Sequence, residues 1–376
     1  MPTRERSMAL WFTGTENGLP ITRERVNAEA VDVVGAGDNQ PIDFSLSTMA
    51  GLLHNGKNSA GTLTWVNCPL STPWNHGGPY RGHLVTTSQT DGYYAARVLA
   101  RTNPSRSSFN ALVSAAELRE VPGLIRDSMG FTLKQMRESG VLRSWKFLKA
   151  AAKVNLMVQF GLAPLVSDCL KLPYLAEAID ARQRELQRMA TRGLRRTLLL
   201  DLVSRFDESS LTVYSSSGTS NIVRCKAIKI TRQIIRGHVR WYSTAPLPTS
   251  DAEMRYLARK AVTGAVITPE AIYEAMPWSW LVDYFTNVGD IVKSVSTVIP
   301  AFHDPVRIMR HTITDCHFSN PQQQNPNYKV SDGYSFLETK TRKIASPSLS
   351  AKTQLLQPSQ LSILASLSVL KQRIFS

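Results

Sequence analysis

Cysteine is scarce in this sequence, and its spacing fits neither a metal site nor a disulfide framework. The 376 residues contain four cysteines with no CxxC pair, at Cys68, Cys169, Cys225 and Cys316. The spacings of the nearby histidines match no zinc-ligand motif, and these are His54, His76 and His83. We therefore expect reduced thiols, no bound metal, and a protein made in a cytosol.

Long apolar runs and catalytic motifs are also missing. The first residues, MPTRERSMALWF, lack the apolar stretch of a signal peptide, so we expect no export by that route. Residues 353–370 carry no charge, but half of these eighteen are Ser, Thr, Gln or Pro, which favours an amphipathic terminal helix over a membrane span. There is no nucleophile elbow, P-loop, dinucleotide-binding glycine pattern or HExxH motif, so we expect neither an enzyme nor a cofactor.

Acidic residues are too few to balance the basic ones. Lys and Arg total 44 against 29 Asp and Glu, which gives a formal net charge of +15. Such an excess indicates a polyanionic partner, either nucleic acid or an anionic surface. One cluster lies largely on the outer side of a predicted helix and is a candidate phosphate-binding face: Arg182, Arg184, Arg188, Arg192, Arg195 and Arg196. The alternative is a solvated surface with intrahelical pairs such as Asp180 with Arg184.

A second basic cluster lies between Glu208 and Asp251, where the chain has no acid. Residues 222–242, IVRCKAIKITRQIIRGHVRWY, are rich in β-branched side chains and predict a strand. Unless a bend near Gly237 resets the alternation, one face carries Arg224, Lys226, Arg232, Arg236, His238 and Arg240. Such a row suits the phosphates of a nucleic-acid backbone. It would equally keep an exposed strand from pairing with other chains.

Residues 268–300 carry the clearest local signal. Thr268 followed by Pro269 is typical of a helix start. After Pro277 the apolar spacing predicts one helix of about twenty residues, ended by Pro300. Its predicted buried side is Trp278, Leu281, Val282, Phe285, Val288, Gly289, Val292, Val295 and Ile299, and its predicted outer side is Ser279, Asp283, Thr286, Asp290, Lys293 and Thr297. We interpret Asp283, beside Trp280 and Tyr284, as a helix–helix hydrogen-bond partner and not as a catalytic acid.

Sheet-like and helix-like composition alternate along the chain. Turn formers and β-prone residues dominate 1–107, 193–250 and 301–350, whereas helix formers dominate 108–192, 251–300 and 351–376. This order predicts an α+β fold without βαβ repeats. A helical part and an antiparallel β-sheet region would each be assembled from non-contiguous segments.

Two blocks of residues carry a resemblance to a known family. The first is Phe160, Gly161, Pro164, Leu165 and Asp168, and the second is Glu274, Pro277, Trp278, Ser279, Trp280, Asp283, Tyr284, Val288 and Gly289. In these residues the sequence resembles the maturation proteins (A proteins) of the small positive-strand RNA bacteriophages, the levivirus group. Residues 361–373 resemble that family's last helix, and 80–82 with the following LVTTS resemble its N-terminal sheet. The blocks occur in family order, but residues 1–41 have no comparable match.

The resemblance implies an elongated two-part molecule with a helical bundle at one end and an antiparallel β-sheet region at the other. It implies a non-enzymatic virion protein, partly exposed on the capsid surface and made in the host cytoplasm. It further implies that a single copy replaces one coat-protein dimer, that the helical end binds the 3′ region of the viral genomic RNA, and that the sheet end projects outward and attaches to a host pilus for entry. It implies no small-molecule substrate. An added host-lysis role through cell-wall synthesis is an alternative, and charge alone would also fit a cellular RNA-binding protein.

Further candidate residues follow from the two implied ends. Basic residues in or next to the helical segments are candidate RNA contacts, namely Lys340, Arg342, Lys343, Lys371 and Arg373. Aromatic residues of the charge-poor N-terminal region are candidate receptor contacts, namely Trp65, Trp74, Tyr80, Tyr93 and Tyr94. Aromatic residues in a sheet more often belong to the core, which is the alternative for this second set.

Overall fold

A computed structural model describes most of the chain outside 108–150. The described residues are 3–16, 18–33, 42–57, 63–69, 82–86, 89–107, 151–152, 154–156, 158–159, 170, 172–214, 222–264, 266, 268–276, 279–323, 328–352 and 357–371. They divide into two compact units, each made of three chain segments. The first unit is Met1–Tyr94, Thr197–His238 and Pro305–Ala345, and the second is Ala95–Arg196, Val239–Asp304 and Ser346–Ser376.

Strands outweigh helices in the described residues. The strands are β1 (Thr3–Glu16), β2 (Leu19–Val33), β3 (Ile42–Gly51), β4 (Leu53–Lys57), β5 (Leu63–Pro69), β6 (Leu194–Tyr214), β7 (Ile222–Ser243), β8 (Ala301–His303), β9 (Val306–Gln323), β10 (Tyr328–Val330) and β11 (Gly333–Ala345). They form one sheet in the order β10-β4-β5-β1-β2-β3-β11-β9-β7-β6, with β8 paired to β7. Each strand pair whose register is described is antiparallel.

Seven α-helices and one short 3-10 helix complete the described part of the chain. They are α1 (Asp91–Thr102), the 3-10 helix Leu172–Tyr174, α2 (Leu175–Thr191), α3 (Asp251–Thr263), α4 (Pro269–Ala275), α5 (Ser279–Phe285), α6 (Val288–Val295) and α7 (Pro358–Lys371). The predicted α+β class is confirmed. The elongated outline, the helical bundle and the boundaries of the six segments stay predictions. None of the described helices combines the length and the apolar character needed to cross a bilayer.

The first unit has an apolar cluster drawn mainly from β3, β7 and β9. Its buried members are Met49, Leu52, Val223, Cys225, Ala227, Cys316 and Phe318. Both of these cysteines are free thiols, and burial raises the pKa of Cys225 to about 11. The chain turns sharply between β3 and β4, where Gly51 has a φ of 69° and leaves no room for a Cβ beside the Asp332 carbonyl.

A polar layer continues the core of the first unit. Thr231 and Thr314, on neighbouring strands, are buried, and their hydroxyl oxygens are 2.7 Å apart. The imidazole of His83 lies 2.7 Å from the Thr314 hydroxyl and 2.9 Å from the Thr339 hydroxyl. Burial lowers the pKa of His83, and the charge of Lys229 lowers it further. This histidine, considered above as a metal ligand, is therefore half-buried and hydrogen-bonded to hydroxyl groups of the sheet.

The second unit confirms the predicted helix ends. The Thr268 side chain accepts a hydrogen bond from the Ala271 amide at 3.2 Å, and Pro269 is the first residue of α4. Gly264 follows α3 with a φ of 59°, the left-handed conformation common after a helix. The terminal helix predicted within residues 351–376 is α7, and it begins at Pro358.

The single helix predicted after Pro277 is wrong, because it breaks into α5 and α6 at Thr286 and Asn287. The Asn287 amide donates to the Ser348 carbonyl at 2.9 Å, and its oxygen accepts from the Ser350 amide at 2.8 Å. These bonds to a distant segment hold Asn287 outside a continuous helix. The predicted faces shift with the break. Val282, Phe285 and Val295 are 44%, 51% and 64% exposed, whereas Ser279 is buried.

Candidate nucleic-acid interface

The basic residues of β7 alternate with buried residues along the strand. Arg224, Lys226, Arg232 and Arg236 are exposed, while the odd-numbered residues between them are buried. The predicted alternation is confirmed, and it passes through Gly237 without a reset. His238 and Arg240, at the following even positions, are half-buried.

The position of β7 in the sheet removes one explanation for this row of cations. β7 lies between β9 and β6, and its register with β9 runs from Val223 to His238. A strand paired on both sides has no free edge to protect. The interpretation that these charges prevent pairing with other chains is therefore wrong.

The strand register places cations of β9 and β11 beside those of β7. His238 is opposite Arg307 on β9, and Met309 lies between Arg236 and Arg342 on the next strand, β11. Directly opposed residues share a face of the sheet. Adjacent strands are about 4.8 Å apart, so Arg236 and Arg342 are separated by about 10 Å at their Cα atoms.

We call this surface the basic sheet face, and it consists of Arg224, Lys226, Arg232, Arg236, Arg307, Lys340 and Arg342. Sequence reasoning missed Arg307, because a single arginine near the start of a strand gives no periodic signal. The sequence predicted Lys340 and Arg342 in or next to the helical segments. The structure corrects this prediction, because both residues belong to β11 in the sheet. Lys343, also in β11, is exposed.

Acidic side chains neutralise part of the positive charge of the basic sheet face. Glu338 accepts from Lys340 Nζ at 2.6 Å, and its oxygen lies 2.7 Å from His311 Nε2. Burial raises the pKa of Glu338, but the hydrogen bonds from Lys340 and His311 outweigh burial and leave that pKa below its usual value. Lys226 Nζ lies 2.8 Å from the Glu208 carboxylate.

Arg232 and Arg236 of β7 differ from Lys226 and Lys340, whose charges are paired with acidic side chains. Within the part of the chain that the structure describes, Arg232 and Arg236 form no ion pair with an acid. Both are exposed. An exposed, unpaired guanidinium can bind phosphate oxygens in two-point geometry, so these residues are the strongest candidates for contact with a polyanion.

The arginines in helix α2 and just after it differ in exposure and in their partners. Arg182 was predicted to point outward, but its side chain is 13% exposed. Its guanidinium donates to the backbone carbonyls of Pro104 and Arg106, and burial lowers the pKa of Arg182. Arg196 forms an ion pair with Glu185. Arg182 is thus a structural residue, whereas Arg184, Arg188, Arg192 and Arg195 are exposed.

The ion pair between Asp180 and Arg184, named above as part of the alternative for this helix, does not form. Asp180 pairs with Arg255 of α3, with 3.2 Å between the carboxylate and guanidinium atoms. Arg184 donates instead to the backbone carbonyl of Asp180 at 3.3 Å. Asp180 therefore joins α2 to α3 through this ion pair. It does not neutralise Arg184, as the sequence alternative would require.

Two of the aromatic receptor candidates belong to the protein core. Tyr93 and Tyr94 lie in α1, not in a strand, and are 4% and 0% exposed. The Tyr94 hydroxyl donates to the Asp201 carboxylate at 2.9 Å and accepts from the Gln89 amide at 3.2 Å. Their assignment as receptor contacts is wrong because neither ring reaches the surface.

Several predicted residues cannot be placed. Trp65 lies in β5 and Lys371 ends α7, with side chains outside the described part of the structure. Outside the described residues altogether are Trp74, Tyr80, Phe160, Gly161, Pro164, Leu165, Asp168, Pro277, Trp278 and Arg373. Among the residues that are described, no cluster of three or more His, Cys, Asp or Glu could hold a metal ion.

The conspicuous acid of the 268–300 stretch joins three helices. Asp283 of α5 accepts from the Tyr273 hydroxyl of α4 at 2.9 Å and from the Gly289 amide of α6 at 2.8 Å. A Cβ on Gly289 would collide with the Asp283 carboxylate, which explains the glycine. Burial raises the pKa of Tyr273 to about 12, and the hydrogen bond to Asp283 adds to this shift.

Other residues of the same stretch are also used in packing. Lys293 of α6 pairs with Glu274 of α4 at 3.1 Å. The rings of Trp280 and Tyr284 meet edge to face, with 5.2 Å between their centroids. These contacts assign the stretch to the internal architecture of the second unit, so a nucleic-acid interface is better sought on the basic sheet face and on the exposed side of α2.

Comparison with known proteins agrees with the sequence resemblance. Residues 125–315, slightly more than half of the chain, match the family model described as phage maturation protein. No curated protein sequence matches the chain. The matched range contains β7 with its arginine row, helices α2 to α6, and β9 up to Asp315. The chain therefore belongs to the phage maturation protein family.

Proposed function

We propose that this maturation protein binds the viral genomic RNA through the basic sheet face and the exposed arginines of α2. The observation that carries the proposal is the pair Arg232 and Arg236, exposed and without an acid partner in the described part of the chain, with Arg307 and Arg342 on the same face. Arginines at fixed intervals on a rigid sheet suit the phosphates of an RNA backbone. Contacts of this kind position an RNA without reading its sequence.

The remaining parts of the proposal rest on family membership and on the sequence resemblance, whereas placing RNA on the basic sheet face departs from the helical end that the resemblance implies. The bound RNA is the 3′ region of the genome, and one copy of the protein replaces one coat-protein dimer in the capsid of a levivirus-like particle. Membership of a phage maturation family places the protein with the virion. The role is structural and non-enzymatic, which is supported by the use of Asp283 as a bridge between helices.

Attachment to a host pilus is the second proposed role, and we place it in the N-terminal region. β1 is exposed on both faces over most of its length, and its apolar residues Met8, Leu10 and Trp11 are 54%, 52% and 63% exposed. Exposed apolar residues close together on one strand are typical of protein contact surfaces. Trp65, Trp74 and Tyr80 remain candidates for the same role.

Crosslinking inside intact particles tests both roles at once. Ultraviolet crosslinks between this chain and the genomic RNA are expected in β7, β9, β11 and α2, with the linked nucleotides near the 3′ end. Crosslinks from residues 1–33 should go to pilin when particles are mixed with purified pili. RNA crosslinks concentrated in 1–107 instead would mean that the two roles have been assigned to the wrong regions.

A further inference from the structure

Strand β1 has an open edge over most of its length, although it lies inside the strand order of the sheet. On one side it pairs with β2 over its whole length, and on the other it pairs with β5 only at Thr15 and Glu16. Gly14 still lies against β5, because a Cβ there would collide with the Asn67 carbonyl. Over residues 3–11, no strand in the described part of the chain pairs with the outer edge of β1. Such an edge presents unpaired main-chain donors and acceptors.

The tight turn after β1 shows which of its main-chain groups point outward. Glu16 pairs with Leu19 across a loop of two residues, and such a closing pair is joined by hydrogen bonds in both directions. The next pair, Thr15 with Pro20, is of the non-hydrogen-bonded kind, since proline has no N–H to donate. The two kinds alternate along a strand. Even-numbered residues of β1 therefore point their N–H and C=O groups to β2, and odd-numbered residues point theirs to the open edge.

The alternation holds along the whole open edge. At the bulge near Leu10 the extra residue, Arg25, belongs to β2, so β1 itself stays regular. The edge extends over about 30 Å, which is long enough to pair with a strand of ordinary length. Its outward-pointing residues are Thr3, Glu5, Ser7, Ala9 and Trp11.

The side chains along this edge are charged in one half and apolar in the other. All of residues 3–11 are exposed. The charged half begins with the sequence RER, whereas residues 7–14, SMALWFTG, contain no charge and no proline. Met8 and Leu10 lie on one face and Trp11 on the other, so an added strand would have apolar groups on both sides. An uncharged, largely apolar run at an open edge is a site where another chain can add a strand.

A second copy of this chain does not fit the open edge. Two antiparallel copies of residues 3–11 would pair about Ser7, which sets the apolar half of each copy opposite the charged half of the other. The register that matches the apolar halves is centred on Leu10, and it needs residues 13–16, beside which β5 already lies. The edge therefore suits a strand of a different protein, apolar at one end and polar at the other.

We infer that attachment to the host pilus takes place by strand addition, in which an extended segment of the pilus subunit pairs with residues 3–11 of β1. This mode of binding rests on the proposed attachment role of β1 and specifies how that contact is made. Main-chain hydrogen bonds from the odd-numbered residues hold the added strand, while Met8, Leu10 and Trp11 select its side chains. Strand addition thus differs from a side-chain contact in its dependence on single N–H groups of β1.

A proline at position 9 tests this dependence. Ala9→Pro removes one outward N–H and leaves the bonds to β2 intact, and proline is tolerated at such an edge position. Particles that carry the variant are mixed with purified host pili, and the bound fraction is measured by cosedimentation over a range of pilus concentrations. We expect the affinity for pili to fall about tenfold. Ala9→Ser keeps the N–H and should bind like the parent.

Leu10→Ser is the companion variant, because it removes a side-chain contact and keeps every main-chain group of β1. If Leu10→Ser weakens pilus binding and Ala9→Pro does not, β1 remains the attachment site and strand addition is overturned. If neither variant changes pilus binding, or if parent particles do not bind pili, the proposed attachment role of β1 falls and strand addition with it.

Hydrogen exchange in parent particles gives a second test that needs no variant. The amides of Ser7, Ala9 and Trp11 should exchange fast in free particles and at least about tenfold more slowly after pili are added, whereas the even-numbered amides are protected by β2 throughout. Mass spectrometry with fragmentation to single residues measures both sets. Unchanged exchange of the odd-numbered amides in the pilus complex would overturn strand addition. Protection of these amides before pili are added would mean that a strand of the coat protein or of a second copy holds the edge, and it would overturn the assignment to the pilus.

Discussion

The arginines of α2 and those of β7 are equally conspicuous in sequence, yet the structure uses them differently. Arg182 of α2 lies mostly buried against backbone carbonyls, and Arg196, at the start of β6, pairs with Glu185 of α2. In β7, Arg232 and Arg236 are exposed and have no acid partner within the described residues. Net charge alone therefore does not tell which arginines are available to bind a polyanion.

The periods of the two elements explain the difference. Every second residue of a strand faces the same side, so cations at even positions of β7 share one face. A helix turns by about 100° per residue, which puts Arg182 and Arg184 about 200° apart on α2. Steps of four residues change direction by only about 40°, and so Arg184, Arg188 and Arg192 stay together on the exposed side.

The largest expected effect separates the structural arginine of α2 from its exposed neighbours. Arg182→Met leaves the Pro104 and Arg106 carbonyls without their donor and breaks the ion pair with Glu185. We expect the free energy of unfolding to fall by about 3 kcal/mol. Urea unfolding followed by tryptophan fluorescence measures this change.

Arg184→Met, on the exposed side of the same helix, is the control for that experiment. It should change the free energy of unfolding by less than about 0.5 kcal/mol. Equal stability of the two variants would contradict the structural role of Arg182 and would return it to the set of candidate RNA contacts.

The next effect concerns the exposed pair on the basic sheet face. Replacing Arg232 and Arg236 together by Gln should lower RNA affinity about tenfold at physiological salt without lowering stability. The slope of log affinity against log salt should fall by about 1.5 to 2, because two phosphates are no longer neutralised. RNA titrations at four salt concentrations give both quantities.

Lys226→Gln is the comparison for this double variant. Its charge is already held by Glu208, so its removal should change the salt slope less than the loss of either arginine. An unchanged slope in the double variant would show that the RNA does not lie on this face.

Glu338 allows the same face to be made more basic. Its folded pKa is lowered, so its stabilising contribution is complete above the unfolded value near 4.5 and is lost as the pH falls through the folded value. Glu338→Gln should therefore cost about 1 kcal/mol at pH 7 and should reduce the loss of stability on acidification. Because Lys340 loses its partner, RNA affinity should rise about threefold.

Unfolding free energies at pH 7 and at pH 3.5 check the first part of this prediction, and RNA titration checks the second. A variant that is as stable as the parent at both pH values would show that the Glu338 contacts to Lys340 and His311 contribute nothing. A fall in RNA affinity, without a change in stability, would place the RNA elsewhere.

Local patterns predicted the features that depend on neighbouring residues. The cap at Thr268 and the alternation along β7 each follow from a few adjacent side chains and their backbone preferences. The break between α5 and α6 does not, because it depends on bonds from Asn287 to Ser348 and Ser350, about sixty residues further along the chain.

The candidate interface likewise depends on contacts between distant parts of the chain, which local patterns do not predict. The row on β7 could be read from the sequence, but its union with Arg307 and Arg342 depends on strand register, which no local pattern specifies.

The smallest expected effect decides whether α2 belongs to the interface at all. Arg188→Gln removes an exposed cation from the middle of the arginine group, where its loss leaves no buried group unpaired. Stability should stay within about 0.5 kcal/mol, and RNA affinity should fall about threefold at low salt and less at high salt, where screening already weakens the contact. Arg188→Lys retains the charge and should bind like the parent. If Arg188→Gln also binds like the parent at every salt concentration, the arginines of α2 form a solvated surface, and the basic sheet face alone would account for RNA binding.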